Sequence, residues 1–108
     1  MSHICPDNLS LVAEFMHAFE QPVSLGFFSE QTAEALALGM KLIAEENMEL
    51  SHAALVLLDA PAEQAGNAQK HFIKELADLL FVVYWLASAL GIDLDEAFRQ
   101  VWQSNMSK

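Results

Sequence analysis

Apolar residues recur three and four positions apart along almost the whole chain, and this period favours helices. A first helix is predicted from about Leu9 to Glu20, ending before Pro22. Its apolar positions are Val12, Phe15, Met16 and Phe19. No stretch alternates apolar and polar residues as a half-buried strand does. The sequence therefore predicts an all-α fold.

Two longer helices are predicted in the middle of the chain. Ser29 is a suitable N-cap for the second helix, which runs to about Leu58. The apolar stripe of this helix consists of Leu36, Met40, Ile43, Leu50, Ala54 and Leu57. The third helix, from about Ala68 to Leu90, is apolar almost all round beyond Asp78, so we expect it at the centre of the fold.

Turn signals separate these helices from each other and from a fourth. Pro61, Gly66 and Asn67 mark the connection before the third helix, and Gly91 closes that helix. Asp93 and Glu96 then have the spacing of a capping box. The fourth helix carries Leu94, Ala97, Phe98, Val101 and Trp102 on its apolar face. We predict one domain over residues 1–108, a bundle of four main helices.

Charge and composition limit the possible partners. The net charge of -10 argues against binding to a nucleic-acid polymer or to an anionic membrane surface, because the protein offers neither partner a basic patch. The longest apolar run, Leu79 to Ala87, is too short to span a membrane. A hydrophobic share of 54% is high for 108 residues and predicts a homodimer or homotetramer.

The beginning of the chain indicates the compartment. Cys5 is the only cysteine, so no disulfide can form within the chain. Met1 to Ser10 lack the basic and apolar regions of a secretory signal. We therefore expect a cytoplasmic protein.

Two acidic clusters interrupt the apolar stripes of the second and third helices. They are Glu45-Glu46-Asn47-Met48-Glu49 and, after 25 intervening residues, Glu75-Leu76-Ala77-Asp78. Because residues three apart share a helical face, Glu46 and Glu49 lie on one face of their helix, and Glu75 and Asp78 lie on one face of theirs. Only five Lys and Arg residues could neutralise them, and a divalent cation such as Mg²⁺ is the natural counter-charge for an all-oxygen cluster.

The connection between the two helices predicts that the clusters meet. Glu49 lies about ten residues before the Asp59–Asn67 connection and Glu75 about eight after it, so an antiparallel hairpin brings them to similar height. Each unpaired buried carboxylate would destabilise the fold by roughly several kcal/mol unless it is protonated or binds a metal. The competing interpretation is that these acids belong to a solvated surface.

At this point the sequence resembles the all-α nucleoside triphosphate pyrophosphatases. The pattern E-E-x-x-E followed by E-x-x-D is similar to that of the MazG-like enzymes and phosphoribosyl-ATP pyrophosphohydrolase. The similarity also includes Val12–Phe15, Gly91–Asp95 and Ser104–Lys108. It implies a dimeric or tetrameric helical enzyme that binds Mg²⁺, with Mn²⁺ as a substitute. Such an enzyme hydrolyses the α–β phosphoanhydride of a nucleotide and releases pyrophosphate.

The resemblance also implies roles for individual residues. Glu46, Glu49, Glu75 and Asp78 match the metal ligands of the family. Glu45 matches the acid that positions or deprotonates the attacking water, and Glu45 and Glu46 are the expected catalytic residues. Asn105 and Lys108 match positions near the end of the family motif and are expected to contact phosphate or sugar. Phe15 and Phe19 are candidates for stacking on a base, although aromatic residues at helical spacing more often belong to the core.

The sequence departs from the family pattern in two places. Met16 and Glu20 stand where the relatives have His and Gly. Many relatives continue beyond the segment Ser104–Lys108 with a Gly- and Pro-rich tail, whereas this sequence ends there. From this difference we expect an open site, an altered substrate range, or completion of the site by a neighbouring subunit.

Two other classes of protein compete with this interpretation. Glu14 with His17, and Glu49 with His52, have the E-x-x-H spacing of di-iron carboxylate proteins with four helices. Helical geometry places both histidines away from the apolar stripes, which predicts that they are exposed. The third class is a non-catalytic helical module that dimerises through Trp85 and Trp102.

Overall fold

The computed structural model describes residues 7–108 and contains four α-helices in that range. They are α1 (Asn8–Ala18), α2 (Thr32–Asp59), α3 (Ala65–Leu90) and α4 (Leu94–Met106), and a short 3-10 turn, Ala62–Gln64, precedes α3. Residues 7–108 include no strand, so the all-α prediction is confirmed. The predictions for Cys5 and the first six residues lie outside the described range. By length and hydropathy, no single described helix can span a membrane, although Ala62–Leu90 and Leu94–Met106, bent by 114°, pass such a test together.

The chain forms two compact units. One consists of the described residues up to Leu36 together with Tyr84–Lys108, and the other is Ala37–Val83. Helices α2 and α3 each contribute to both units. The second unit is a helical hairpin and carries both acidic clusters.

The core of the first unit is small and tightly enclosed. Its buried residues are Val12, Met16, Ala35, Trp85 and Ala89. The Trp85 indole N–H donates a hydrogen bond of 2.9 Å to the Gln21 side chain, which satisfies the polar edge of this buried ring. Burial of the large Met16 and Trp85 side chains supplies most of the apolar contact here.

The predicted role of Gly91 in ending α3 is confirmed. Gly91 has φ +76°, and the N–H groups of Gly91 and Ile92 bond to the carbonyls of Ser88 and Ala87 in the pattern of a Schellman cap. The last carbonyls of α3 also accept bonds from the loop before α2, including Ser24 to Ser88 at 2.8 Å and Leu25 to Ala89 at 2.7 Å. The helix end is therefore buried with its backbone satisfied.

The prediction of Ser29 as the N-cap of the second helix is wrong. The helix begins at Thr32, whose hydroxyl donates to the Gly26 carbonyl at 2.9 Å and accepts from the Ser29 N–H at 3.2 Å. These bonds hold residues 29–31 in a turn, so the helix starts two residues later than an N-cap at Ser29 predicts. The predicted cap at Asp93 is present, since its side chain accepts from the Glu96 N–H at 3.1 Å.

The connection between α2 and α3 is shorter than predicted. Gly66 and Asn67 lie in the first turn of α3, because the 3-10 turn after Pro61 leads directly into that helix. A 3-10 turn is common at a helix N-terminus. Pro is also common at the start of a helix, and Gly66 and Asn67 do not prevent the helix from forming after it.

Burial along α2 and α3 also differs from the predicted stripes. Leu36 and Met40 are exposed, whereas the smaller Ala35 and Ala53 are buried. On α3 the last two turns are buried as predicted, but Leu76 and Leu80 are about half exposed. The central position predicted for the third helix therefore holds only for Trp85–Leu90, because small residues rather than large ones mark the closely packed face of α2.

Candidate metal centre

Three carboxylates from the two acidic clusters come together in the second unit. One oxygen each of Glu46 on α2 and of Glu75 and Asp78 on α3 lies within 4.8 Å of the others. Further along the hairpin, Glu49 and His52 line one cavity with His71 and Glu75. Residue numbers rise on α2 as they fall on α3, so the antiparallel register predicted from the connection is present.

Two oxygens of this group are buried without a partner. Glu75 is 5% exposed, and the Oε2 atoms of both Glu46 and Glu75 have no hydrogen-bond partner among the described residues. An unpaired buried carboxylate oxygen costs about 1–3 kcal/mol or more. A cation held by oxygen ligands would satisfy both atoms, so the residues present fit a divalent metal.

The electrostatics of Glu46 reflect the same crowding. Burial raises the pKa of Glu46 above its ordinary value of 4.5, and repulsion from Glu49, Asp78 and Glu75 raises it further, while Lys74 opposes the shift. The negative charges of the cluster therefore repel one another when no cation is bound.

A lysine that the sequence analysis did not assign to the cluster lies beside it. Lys74 Nζ is 2.7 Å from Asp78 Oδ2 and 3.8 Å from Glu75 Oε1. The sequence predicts too few basic residues to neutralise the acids, and one of those few, Lys74, pairs with Asp78. The i, i+4 spacing of Lys74 and Asp78 was the available signal, because residues four apart on a helix are neighbours. The Lys74 side chain is exposed, so this pair is only weakly stabilising.

Glu49 and Glu45 differ from the other acids of their cluster. Glu49 is exposed and lies outside the group of three, although it shares a cavity of about 360 Å³ with Met48, His52, His71 and Glu75. Its charge nevertheless acts on Glu46. Glu45 is exposed on α2.

The histidines bear on the di-iron alternative. His17 and His52 are exposed, as predicted, and so is Glu14. His71 Nε2 lies 3.9 Å from Glu75 Oε1, and the sequence analysis gives this histidine no role. Among the described residues, the group of acidic and histidine ligands within 4.8 Å of one another contains carboxylates only. An all-oxygen group favours a hard cation over iron held by histidine.

A comparison with known families decides the class of this protein. The family model of phosphoribosyl-ATP pyrophosphohydrolase matches residues 12–105. The chain belongs to the phosphoribosyl-ATP pyrophosphohydrolase family. It is thus a nucleotide pyrophosphohydrolase, a metal-dependent hydrolase acting on acid anhydrides. No curated protein matches the chain significantly.

Membership of the pyrophosphohydrolase family gives the acidic triad a context. Glu46, Glu75 and Asp78 are three of the four metal ligands expected from the resemblance, and they are the three that the structure brings together. Their binding of a metal, and the catalytic roles of Glu45 and Glu46, remain predictions.

The other residues expected to contact substrate lie in the first unit. The Lys108 ammonium donates to the Asn105 side chain at 3.1 Å, and both residues are exposed at the end of α4. The rings of Phe15 and Phe19 are tilted by 43° with centroids 4.7 Å apart. Phe19 is 65% exposed, so the alternative that it belongs to the core is wrong. Base stacking by these two residues remains a prediction.

Proposed function

We propose that this protein is a Mg²⁺-dependent nucleoside triphosphate pyrophosphohydrolase. It cleaves the α–β phosphoanhydride and yields a nucleoside monophosphate and pyrophosphate. The observation that supports this proposal most strongly is the group formed by Glu46, Glu75 and Asp78, with its two unpartnered buried oxygens. Mg²⁺ fits such a group because it prefers oxygen ligands and is commonly bound through carboxylates together with substrate phosphates.

The three carboxylates would hold the ion, with Glu49 as a fourth ligand from the neighbouring turn of α2. When bound, Mg²⁺ neutralises charge on the phosphates and makes a water more acidic. This explains how a protein with a net charge of -10 tolerates a triphosphate. Lys74 supplies a further positive charge at the edge of the group.

Glu45 is the proposed general base. Its carboxylate takes a proton from water while the water oxygen forms a bond to the α-phosphorus. The bond from that phosphorus to the bridging oxygen breaks, and its electron pair leaves with pyrophosphate. An exposed carboxylate next to the ligand Glu46 is suited to this role because it can exchange its proton with solvent afterwards.

Phosphoribosyl-ATP is a second candidate substrate, and the family match favours it. The same chemistry applies, because this molecule also carries a triphosphate whose α–β bond can be hydrolysed. Nothing in the acidic group distinguishes the two substrates, since it would contact phosphate and not the base.

Association into a homodimer or homotetramer is part of the proposal. The exposed apolar residues that support it include Leu76, Leu80, Phe98, Val101 and Trp102. Exposed apolar residues in such number are uncommon on a stable monomer. Light scattering at micromolar concentration should give a mass of two or four chains, and a stable monomer would contradict this part of the proposal.

The decisive experiment uses a panel of nucleoside triphosphates and phosphoribosyl-ATP with Mg²⁺ in ¹⁸O-labelled water. Pyrophosphate should be released and the label should appear in the monophosphate product. No release should occur when EDTA replaces Mg²⁺. Release of orthophosphate, or label in pyrophosphate, would contradict attack at the α-phosphorus.

A further inference from the structure

A larger cavity without an assigned role lies at the closed end of the α2–α3 hairpin. Its volume is about 510 Å³, and its lining includes Asp59, Gln64, Asn67 and His71. His71 also lines the smaller cavity that contains Glu49 and Glu75. The two cavities therefore have His71 in common, a residue that lies on α3 between Glu75 and the closed end of the hairpin.

The distance between cavity and acidic group suits a nucleotide. Asn67 precedes Glu75 by eight residues on α3, which corresponds to ~12 Å along the helix axis. The phosphates and the base of an extended nucleotide are separated on this scale. A substrate with its phosphates at Glu75 can thus reach the larger cavity with its base.

The lining chemistry favours a base over a phosphate in this cavity. Val56 and Pro61 provide an apolar wall, and Gln64 and Asn67 carry amide groups that both donate and accept hydrogen bonds. Asp59, when ionised, only accepts hydrogen bonds and repels anions. The charged end of the substrate is therefore disfavoured here, whereas a neutral heteroaromatic ring with N–H donors is favoured.

The geometry points to a nucleobase subsite in which Asp59 accepts a hydrogen bond from an exocyclic amino group and the Asn67 amide pairs with the edge of the base. This inference rests on the proposed function, because it takes the phosphates to lie at the acidic group. It assigns a preference for cytosine or adenine over uracil to the hairpin end and makes Asp59 a specificity-determining residue. It replaces the base stacking on Phe15 and Phe19 that the sequence predicts, because neither ring lines this cavity.

The test compares CTP with UTP, which differ in an amino group and a carbonyl at one position of the ring. Wild-type protein should have the higher kcat/KM with CTP. In Asp59→Asn the new amide can donate to the uracil carbonyl, so the CTP/UTP ratio should fall by about tenfold. Glu63→Gln is the matched control: Glu63 is exposed, lies in the same connection and does not line the cavity, so this variant should keep the wild-type ratio.

Binding measurements separate this inference from the proposed function. Calorimetry with the α,β-methylene analogues of CTP and UTP measures affinity when the scissile bond cannot break. A preference for the CTP analogue that depends on Asp59 would support the subsite even if no nucleotide were hydrolysed, and the proposed function alone would then fail. Hydrolysis with the same CTP/UTP ratio in wild type and Asp59→Asn, or no binding of either analogue, would overturn the subsite.

Discussion

The Lys74 ammonium lies 2.7 Å from the Asp78 carboxylate, one turn further along α3. It is also 3.8 Å from Glu75 Oε1, so a positive charge of the protein stands beside the group that we propose binds Mg²⁺. The hydrogen bond to Asp78 raises the pKa of Lys74 above its ordinary value and so further stabilises the charged form of this side chain. Lys74 and a metal ion therefore compete for Asp78.

Replacing Lys74 by Gln should strengthen Mg²⁺ binding by a few-fold, because the competing charge is removed. The free energy of unfolding should change little, as for other exposed i, i+4 pairs. Calorimetric titration with Mg²⁺ measures the first quantity and urea denaturation the second. Lys70→Gln removes an exposed charge one turn earlier and serves as the control. Weaker Mg²⁺ binding in Lys74→Gln alone would show that Lys74 supports the site and does not compete with the ion.

The raised pKa of Glu46 predicts a pH-dependent stability of the metal-free protein. The folded protein disfavours the charged form, so this residue lowers stability as the pH rises from 4.5 through the raised folded value, and the penalty persists above it. Glu46→Gln should therefore raise the Tm in EDTA at pH 7, and the difference should vanish below pH 4.5. Glu45→Gln, at the exposed neighbouring position, should not reproduce this pattern. An equal gain in Tm at pH 7 and pH 4 would contradict the assignment.

The acidic residues should contribute unequally to catalysis. Glu75 is buried within the group of three, and Glu49 is exposed outside it. Glu75→Gln should lower kcat/KM for pyrophosphate release by more than ~100-fold, because it removes a buried ligand of the proposed metal site. Glu49→Gln should lower it less, by ~10–100-fold, because this exposed fourth ligand lies outside the group of three. Steady-state kinetics at saturating Mg²⁺ tests this order, and the reverse order would make Glu49 the principal ligand.

Replacement by alanine should have opposite effects on stability at Gly66, in the first turn of α3, and at Gly91, in the C-terminal cap of this helix. Gly91 has φ +76°, and an added Cβ would lie 3.3 Å from Ser24 Cα, so Gly91→Ala should cost about 1–2 kcal/mol of unfolding free energy. Gly66 lies in the first turn of α3 with open space around the position of a Cβ. Gly66→Ala should be neutral or stabilising by up to about 1 kcal/mol. Urea denaturation of both variants provides the comparison, and similar losses would contradict it.

The sequence predicts the helices and the meeting of three acids because both depend on local rules. Spacing on α3 places Glu75 and Asp78 on one face, and the short connection sets the register with Glu46. Glu49 has the same three-residue spacing from Glu46, so spacing alone predicts it in the group. It lies one turn nearer the closed end of the hairpin, where it lines a cavity with His71 and Glu75, and its side chain is exposed while Glu46 is partly buried.

Other features of the structure depend on packing between distant residues, which local sequence patterns do not specify. Periodicity identifies an apolar face but not what covers it, so the exposure of Leu36 and Met40 could not be predicted. The start of α2 depends on a contact of Thr32 with Gly26, six residues away, which competes with the local signal of Ser29 as an N-cap. Gly66 and Asn67 are turn residues by composition, yet the turn lies earlier, directly after Pro61, and both residues are helical.

The most direct test of the metal site is the anomalous scattering of Mn²⁺ in crystals of the wild-type protein and of Glu75→Gln. We expect a peak among the carboxylates of Glu46, Glu75 and Asp78 in the wild-type protein, and its loss in the variant. A Mn²⁺ peak elsewhere, with these three side chains free of metal, would contradict the account.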